Sequence, residues 1–207
     1  SRQFLRVLRS CLISMRSYDE LKRSALERFF GKMNPMQQEA VFAVNGPVLV
    51  LAGAGSGKTT VIVNRIANMV YFGNAYHESG RTVSQEDLDF LQGYVDGRET
   101  DIDRLRDVIA SAPIRPWNIL AITFTNKAAG ELKERICNAV PEGGSDIWAA
   151  TFHSTCARIL RRYGDRIGFT SHFTVYGTDD QKKLVKDILK KKNILLLVLK
   201  NIVNLIR

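Results

Sequence analysis

An α/β domain with a mainly parallel sheet is the fold this sequence predicts, on three observations. Short apolar runs alternate with amphipathic helical stretches along most of the chain. The first run, Pro47-Val48-Leu49-Val50-Leu51, is apolar throughout, as suits a strand buried on both faces. That run opens into a glycine-rich turn, which in turn opens into a helical stretch.

Each element has its own signal. Residues 18–30 have helical spacing at Leu21, Ala25 and Phe29, with Gly31 as the stop. A second short helix is expected over 35–42. After the strand at 47–51, a helix over 59–71 places Val61, Ile62, Ile66 and Val70 inward. The pattern then repeats: strand 118–124, helix 127–140, strand 147–151, helix 153–163 and strand 173–176. Thr178 is expected to cap the next helix, with Gln181 completing a capping box. There is no internal repeat and no low-complexity linker.

Residues 74–116 break this rhythm. They hold nine acidic residues and five arginines, net −4 in a chain whose formal charge is +9. Ser84 and Thr100 read as helix caps, with Asp87 and Asp103 three residues on. Two short amphipathic helices are expected here as an insert, a solvated surface excursion lying away from any polyanion-binding face.

The bulk properties set bounds. With 207 residues, 45% hydrophobic and 25% charged, the chain can build one sizeable core. Its basic balance is compatible with a polyanionic partner without requiring one. Cys11, Cys137 and Cys156 stand far apart in no metal-ligand spacing, which argues against a disulfide framework or zinc site and for a reducing cytoplasm. Arg2, Arg6 and Arg9 interrupt the apolar N-terminal stretch, so no signal peptide is read, and Met15 can serve as a natural start. The apolar stretch 194–206 is broken by Lys200, Asn201 and Asn204, and is too short for a membrane span.

The segment Ala52-Gly53-Ala54-Gly55-Ser56-Gly57-Lys58-Thr59 fits a P-loop with alanine in place of the first glycine. The glycines let backbone N–H groups turn inward onto phosphate oxygens. The helix N-terminus that follows favours anions through its free N–H groups and dipole. Lys58 is placed for the β- and γ-phosphates and Thr59 for Mg²⁺. Such a loop indicates a nucleoside triphosphate and leaves open what the energy drives.

Asn34-Pro35-Met36-Gln37, the AGAGSGKTT segment, Ile122-Thr123-Phe124-Thr125-Asn126-Lys127-Ala128-Ala129 and Thr151-Phe152-His153-Ser154 together resemble the UvrD/PcrA/Rep family of superfamily-1 DNA helicases. Their order and rough spacing agree with the first RecA-like domain of that family, over about 33–192 apart from the insert. The resemblance implies a P-loop NTPase, RecA-like three-layer fold, with ATP and Mg²⁺ as cofactors and single-stranded DNA as partner. It divides the chain into an N-terminal helical extension (1–32), a partial ATP-binding domain (33–192, with the insert at 74–116) and an atypical apolar tail (193–207). It implies that Gln37 reads the adenine edge, for which an amide has the needed donor and acceptor. Thr60 closes the nucleotide segment where an arginine is common in the family. Phe124, Thr125, Asn126 and Lys127 match one DNA-contacting segment and Thr151, Phe152 and His153 a second. A ring can stack on a base while polar and cationic groups hold phosphates. Taken alone, Phe124 reads first as a core residue at a strand end. Asp179 and Asp180 resemble the family's acidic pair ahead of its inserted helical subdomain, and read first as helix-start acids.

Hydrolysis in the family needs an Asp-Glu pair after a hydrophobic strand. The sole Asp-Glu dipeptide here, Asp19-Glu20, lies upstream of Lys58. No second RecA-like domain with its arginine finger is read either. The expectation is therefore part of a longer helicase, binding ATP and touching DNA weakly with little turnover of its own. The stretch KKKNILLLVLKNIVNLIR from Lys190 is expected to be an artificial or frameshifted end. The resemblance implies 3′-to-5′ polarity and repair or replication work, and a relative fused to a nuclease stays open. So do a non-catalytic nucleotide-binding module and a different P-loop phosphotransferase, although the latter leaves TFTNKAA and TFHS unexplained.

Overall fold

The computed structural model describes residues 18–170 and 172–191, so the expectations for residues 1–17 and for the tail from 192 lie outside them. The chain forms two compact units, one up to Phe152 and one from His153.

In the first unit, residues 18–29 are helical (α1) and end in a turn before Gly31. Helix α2 (Pro35–Phe42) has Pro at its first position and a full capping box. The Asn34 side chain takes the Gln37 N–H, and the Gln37 side chain takes the Asn34 N–H. Helix α3 (Lys58–Tyr71) follows the glycine-rich loop. Helices α4 (Gln85–Asp96) and α5 (Ile102–Ile109) fill the stretch before strand β1 (Leu120–Thr123). Helix α6 (Asn126–Ala139) and strand β2 (Trp148–Thr151) complete the unit. The strands pair in parallel, with Leu120 opposite Trp148 and Thr123 opposite Thr151.

Two apolar clusters hold this unit together, and α3 serves both. Val61 joins Leu26, Phe30, Val41, Phe72, Leu91 and Leu105 in the first. Val63, Ile66, Ala67 and Val70 join Ala121 of β1 with Leu132 and Ile136 of α6 in the second. Fully burying one such side chain is worth about 1.5–3 kcal/mol. The buried Asn68 of α3 is satisfied by donating to the Val41 carbonyl at 3.2 Å. The Tyr71 hydroxyl donates to the Ala139 carbonyl at 3.0 Å, tying α3 to the end of α6.

Several expectations need correcting. Residues 47–51 form no strand, and their side chains face solvent, Leu49 at 83% and Leu51 at 87% exposure. An apolar run carries a demand for burial but does not name its hydrogen-bonding neighbour, and among the described residues the two strands pair only with each other. The sheet is accordingly covered by α3 and α6 on one face, while Leu120 and Ile122 on the other remain exposed. Ile62 points outward, and Val63 takes the inward place.

The acidic stretch is no solvated excursion. Leu88, Phe90, Leu91 and Tyr94 of α4, with Leu105, Val108 and Ile109 of α5, are buried in the first cluster. Ser84 caps α4 with Asp87 as expected. The cap of α5 is Asp101, accepting from the Arg104 N–H at 3.0 Å, and not Thr100. Asp is the stronger cap, which moves the start by one residue.

Helix α7 (Phe152–Tyr163), which belongs to the second unit from His153 on, is followed by a short 3₁₀ turn at Gly164–Ile167 and by helix α8 (Thr178–Lys191). The expected strand at 173–176 does not form. The expected Thr178–Gln181 box is replaced by the Gly177 N–H donating to Asp180 at 3.1 Å, with Thr178 already inside the helix. Among the described residues no helix is long and apolar enough to cross a membrane.

Candidate nucleotide and nucleic-acid sites

The loop from Ala52 to Gly57 is shaped by its glycines. Gly55 and Gly57 both have φ of +78°, a left-handed conformation that side chains resist. A Cβ added at Gly53 or Gly55 would meet nothing within 4 Å, so the loop borders open space at both positions. The loop is braced from within: the Ser56 hydroxyl donates to the Gly53 carbonyl at 2.7 Å. It runs into α3, whose first residues are Lys58, Thr59 and Thr60. Lys58 and Thr59 are exposed, and the Lys58 ammonium donates to the Ala52 and Gly53 carbonyls at 3.2 and 2.6 Å. The ammonium thus lies folded over the loop it would share with a phosphate tail. Thr60 accepts at its carbonyl from Asn64.

Between this loop and α2 lies a cavity of about 510 Å³, lined by Asn34, Gln37, Ala40, Val50, Ser56 and Lys58 among others. Gln37 lies beside the glycine loop, and its Nε2 donates to the Ser56 carbonyl at 3.1 Å. This link was not read from the sequence. The signal was there, since Asn34 followed by Pro35 and then Gln37 is a capping-box pattern that fixes the amide at the helix entry. Arg65 of α3 donates to the Ala40 carbonyl of α2 at 2.6 Å, and burial lowers its pKa.

These residues suit a triphosphate. The open glycines leave room for oxygens to approach the backbone N–H groups, the helix N-terminus adds its dipole, and Lys58 adds a cation within the same few ångströms. Thr59 offers a hydroxyl at the first turn, where a divalent cation on the phosphates would be met.

Other matched residues come at or directly after the carboxyl ends of the two strands. Thr123 and Thr151 are the last paired residues, so Phe124 and Phe152 each come directly after a strand end. Phe124 is 96% and Phe152 57% exposed, which settles the choice for Phe124 against a core place. The Thr125 hydroxyl caps α6 by accepting from the Ala128 N–H at 3.1 Å, while Asn126 and Lys127 are exposed on its first turn. Thr151 is buried, at 6% exposure, and its side chain does not reach the surface. His153 is exposed and opens the second unit.

Residues 33–79 and 102–204 match the family model of the UvrD/REP helicase N-terminal domain. The chain is 42% identical over 162 residues to ATP-dependent DNA helicase PcrA of Bacillus subtilis (strain 168). It is 43% identical over 162 residues to the proteins of that name from Staphylococcus aureus (strain Mu50) and Staphylococcus epidermidis. Each of these alignments takes in 78% of this chain and 17% of the relative's length. The family match leaves out 80–101, which contains α4, and its second stretch runs on into the segment beyond Lys190.

Proposed function

Since this chain belongs to the UvrD/REP helicase family through that family's N-terminal domain, we propose that it is the ATP-binding and single-stranded-DNA-contacting part of an ATP-dependent DNA helicase of 3′-to-5′ polarity. The observation that carries the reading is the open glycine loop over the α3 N-terminus, with Lys58 and Gln37 converging on one cavity. Residues 52–60 hold the phosphates, Lys58 neutralises the β,γ end and Gln37 reads adenine. Mg²⁺ bound there would offset phosphate charge, with Thr59 as its protein ligand. Phe124 and Phe152 supply stacking surfaces, and Asn126, Lys127 and His153 supply phosphate contacts. Thr125 contributes by fixing the α6 entry, and Thr151 can take part only through its backbone. Residues 80–101 are read as an insertion relative to the family, nested inside the 74–116 stretch.

With no Asp-Glu dipeptide after Lys58, the chain by itself is expected to bind ATP and turn it over slowly. That same feature favours a second reading, a nucleotide-binding module without catalysis. ATPase assays with and without single-stranded DNA separate the two. DNA-stimulated turnover supports the motor, and binding without turnover supports the module. The site assignment is tested by Lys58→Ala. That variant should lose ATP affinity roughly tenfold or more with an unchanged fold, because Lys58 is exposed and bonds only loop carbonyls. Unaltered affinity would refute the site.

A further inference from the structure

We propose that Gln37 has a second task besides base recognition: it holds the Ser56–Gly57 peptide in the orientation that lets the loop accept phosphate. The proposal rests on the reading of that loop as a triphosphate site. Three observations carry it. The Gln37 side chain is fixed at its own end, because Oε1 accepts from the Asn34 N–H at 3.1 Å as half of the capping box. From that anchor Nε2 donates to the Ser56 carbonyl at 3.1 Å, nineteen positions away in sequence. At Gly57 a Cβ would stand 3.2 Å from the same Nε2, so the amide and the loop are in contact, and only glycine leaves the contact undisturbed.

The consequence follows from peptide geometry. In a planar trans peptide the carbonyl and the next N–H point to opposite sides. A donor that grips the Ser56 carbonyl from the α2 side turns the Gly57 N–H away from α2. Gly57, at φ +78°, has no side chain to resist rotation of that peptide, so an outside grip is what fixes it. Preorganised N–H groups bind an anion without first losing conformational freedom. The two bonds leave Gln37 one N–H and one oxygen lone pair, the pair an adenine edge needs, so both tasks fit a single amide.

A ligand with phosphates and no base separates the tasks. The affinity of the full 207-residue chain for inorganic tripolyphosphate and for ATP, each with Mg²⁺, would be measured by calorimetry for the wild type, Gln37→Met and Asn34→Ala. Methionine keeps the length and adds no charge. Asn34→Ala removes the other half of the capping box without touching Ser56, and melting curves report the cost of the lost cap in both variants. The expected result is tripolyphosphate affinity about fivefold weaker in Gln37→Met and close to wild type in Asn34→Ala, with a larger loss for ATP. A Gln37→Met chain that binds tripolyphosphate as the wild type does and loses only ATP affinity would overturn the proposal, leaving Gln37 a base reader. Equal weakening in both variants would overturn it too, by assigning the effect to the cap. A wild-type chain that binds neither ligand would instead bring down the nucleotide-site reading itself.

Discussion

Gly73 shows what a single residue can demand. Its φ is +60°, and an added Cβ would lie 2.0 Å from the Ser111 carbonyl, where the chain returns to the end of α3 after α5. Gly73→Ala should therefore destabilise the chain by more than ~1 kcal/mol, read as a lower urea midpoint. Phe124 is the opposite case, a large ring with almost no packing to lose. Phe124→Ala should leave the urea midpoint unchanged and weaken binding of an oligothymidine strand by about 1–3 kcal/mol if the ring stacks on a base. Equal affinity would remove Phe124 from the DNA surface. The glycine turn opening into a helix was legible in sequence because it is set by residue type and adjacent order. The fate of Thr151 was not, since its inward turn depends on its pairing with Thr123 and on the helices behind the sheet.

At the scale of elements, α4 is the clearest revision. Its acidic residues made it read as surface, yet Leu91 is fully buried and Phe90 and Tyr94 flank it in the first cluster. Leu91→Ala should cost about 2–5 kcal/mol, measurable by chemical denaturation, where a solvated excursion would show almost nothing. The surface charges matter less. Arg104 bonds Glu86 at 2.9 Å, but exposed pairs of this kind contribute about 0–1 kcal/mol. The caps were partly legible: Ser84 with Asp87 stands as expected, while the α5 cap fell one residue later because two capable residues sit side by side at Thr100 and Asp101.

Across the whole chain, tyrosine burial gives a pH signature. Tyr18, Tyr71, Tyr76 and Tyr94 all have pKa values raised above the usual 10.0, in each case mainly by burial. As pH rises past that value the unfolded chain gives up its tyrosine protons first. It then binds fewer protons than the folded chain, and stability falls. The contribution is complete below pH 10 and is lost as the folded groups titrate. Urea midpoints should drop between pH 9 and pH 11, together with delayed tyrosinate absorbance in the folded chain. A flat profile would contradict the burial of the Tyr18 hydroxyl, which donates to the Val108 carbonyl at 3.1 Å.

The sequence by itself determined the local chemistry: the glycine loop, the lysine beside it, the order of the family's motifs and most helix boundaries. The loop, the lysine and the helix boundaries depend on residues within about one or two turns of one another, where spacing and residue type decide the outcome. Tertiary structure alone decided which apolar runs found a partner. Residues 120–123 became a strand because 148–151 lay alongside, whereas the equally apolar 47–51 stayed unpaired and exposed. It also decided that the acidic helices close the core and that Gln37 reaches Ser56. Burial and long-range hydrogen bonds are properties of two surfaces meeting, and neither surface carries the identity of the other in its own residues.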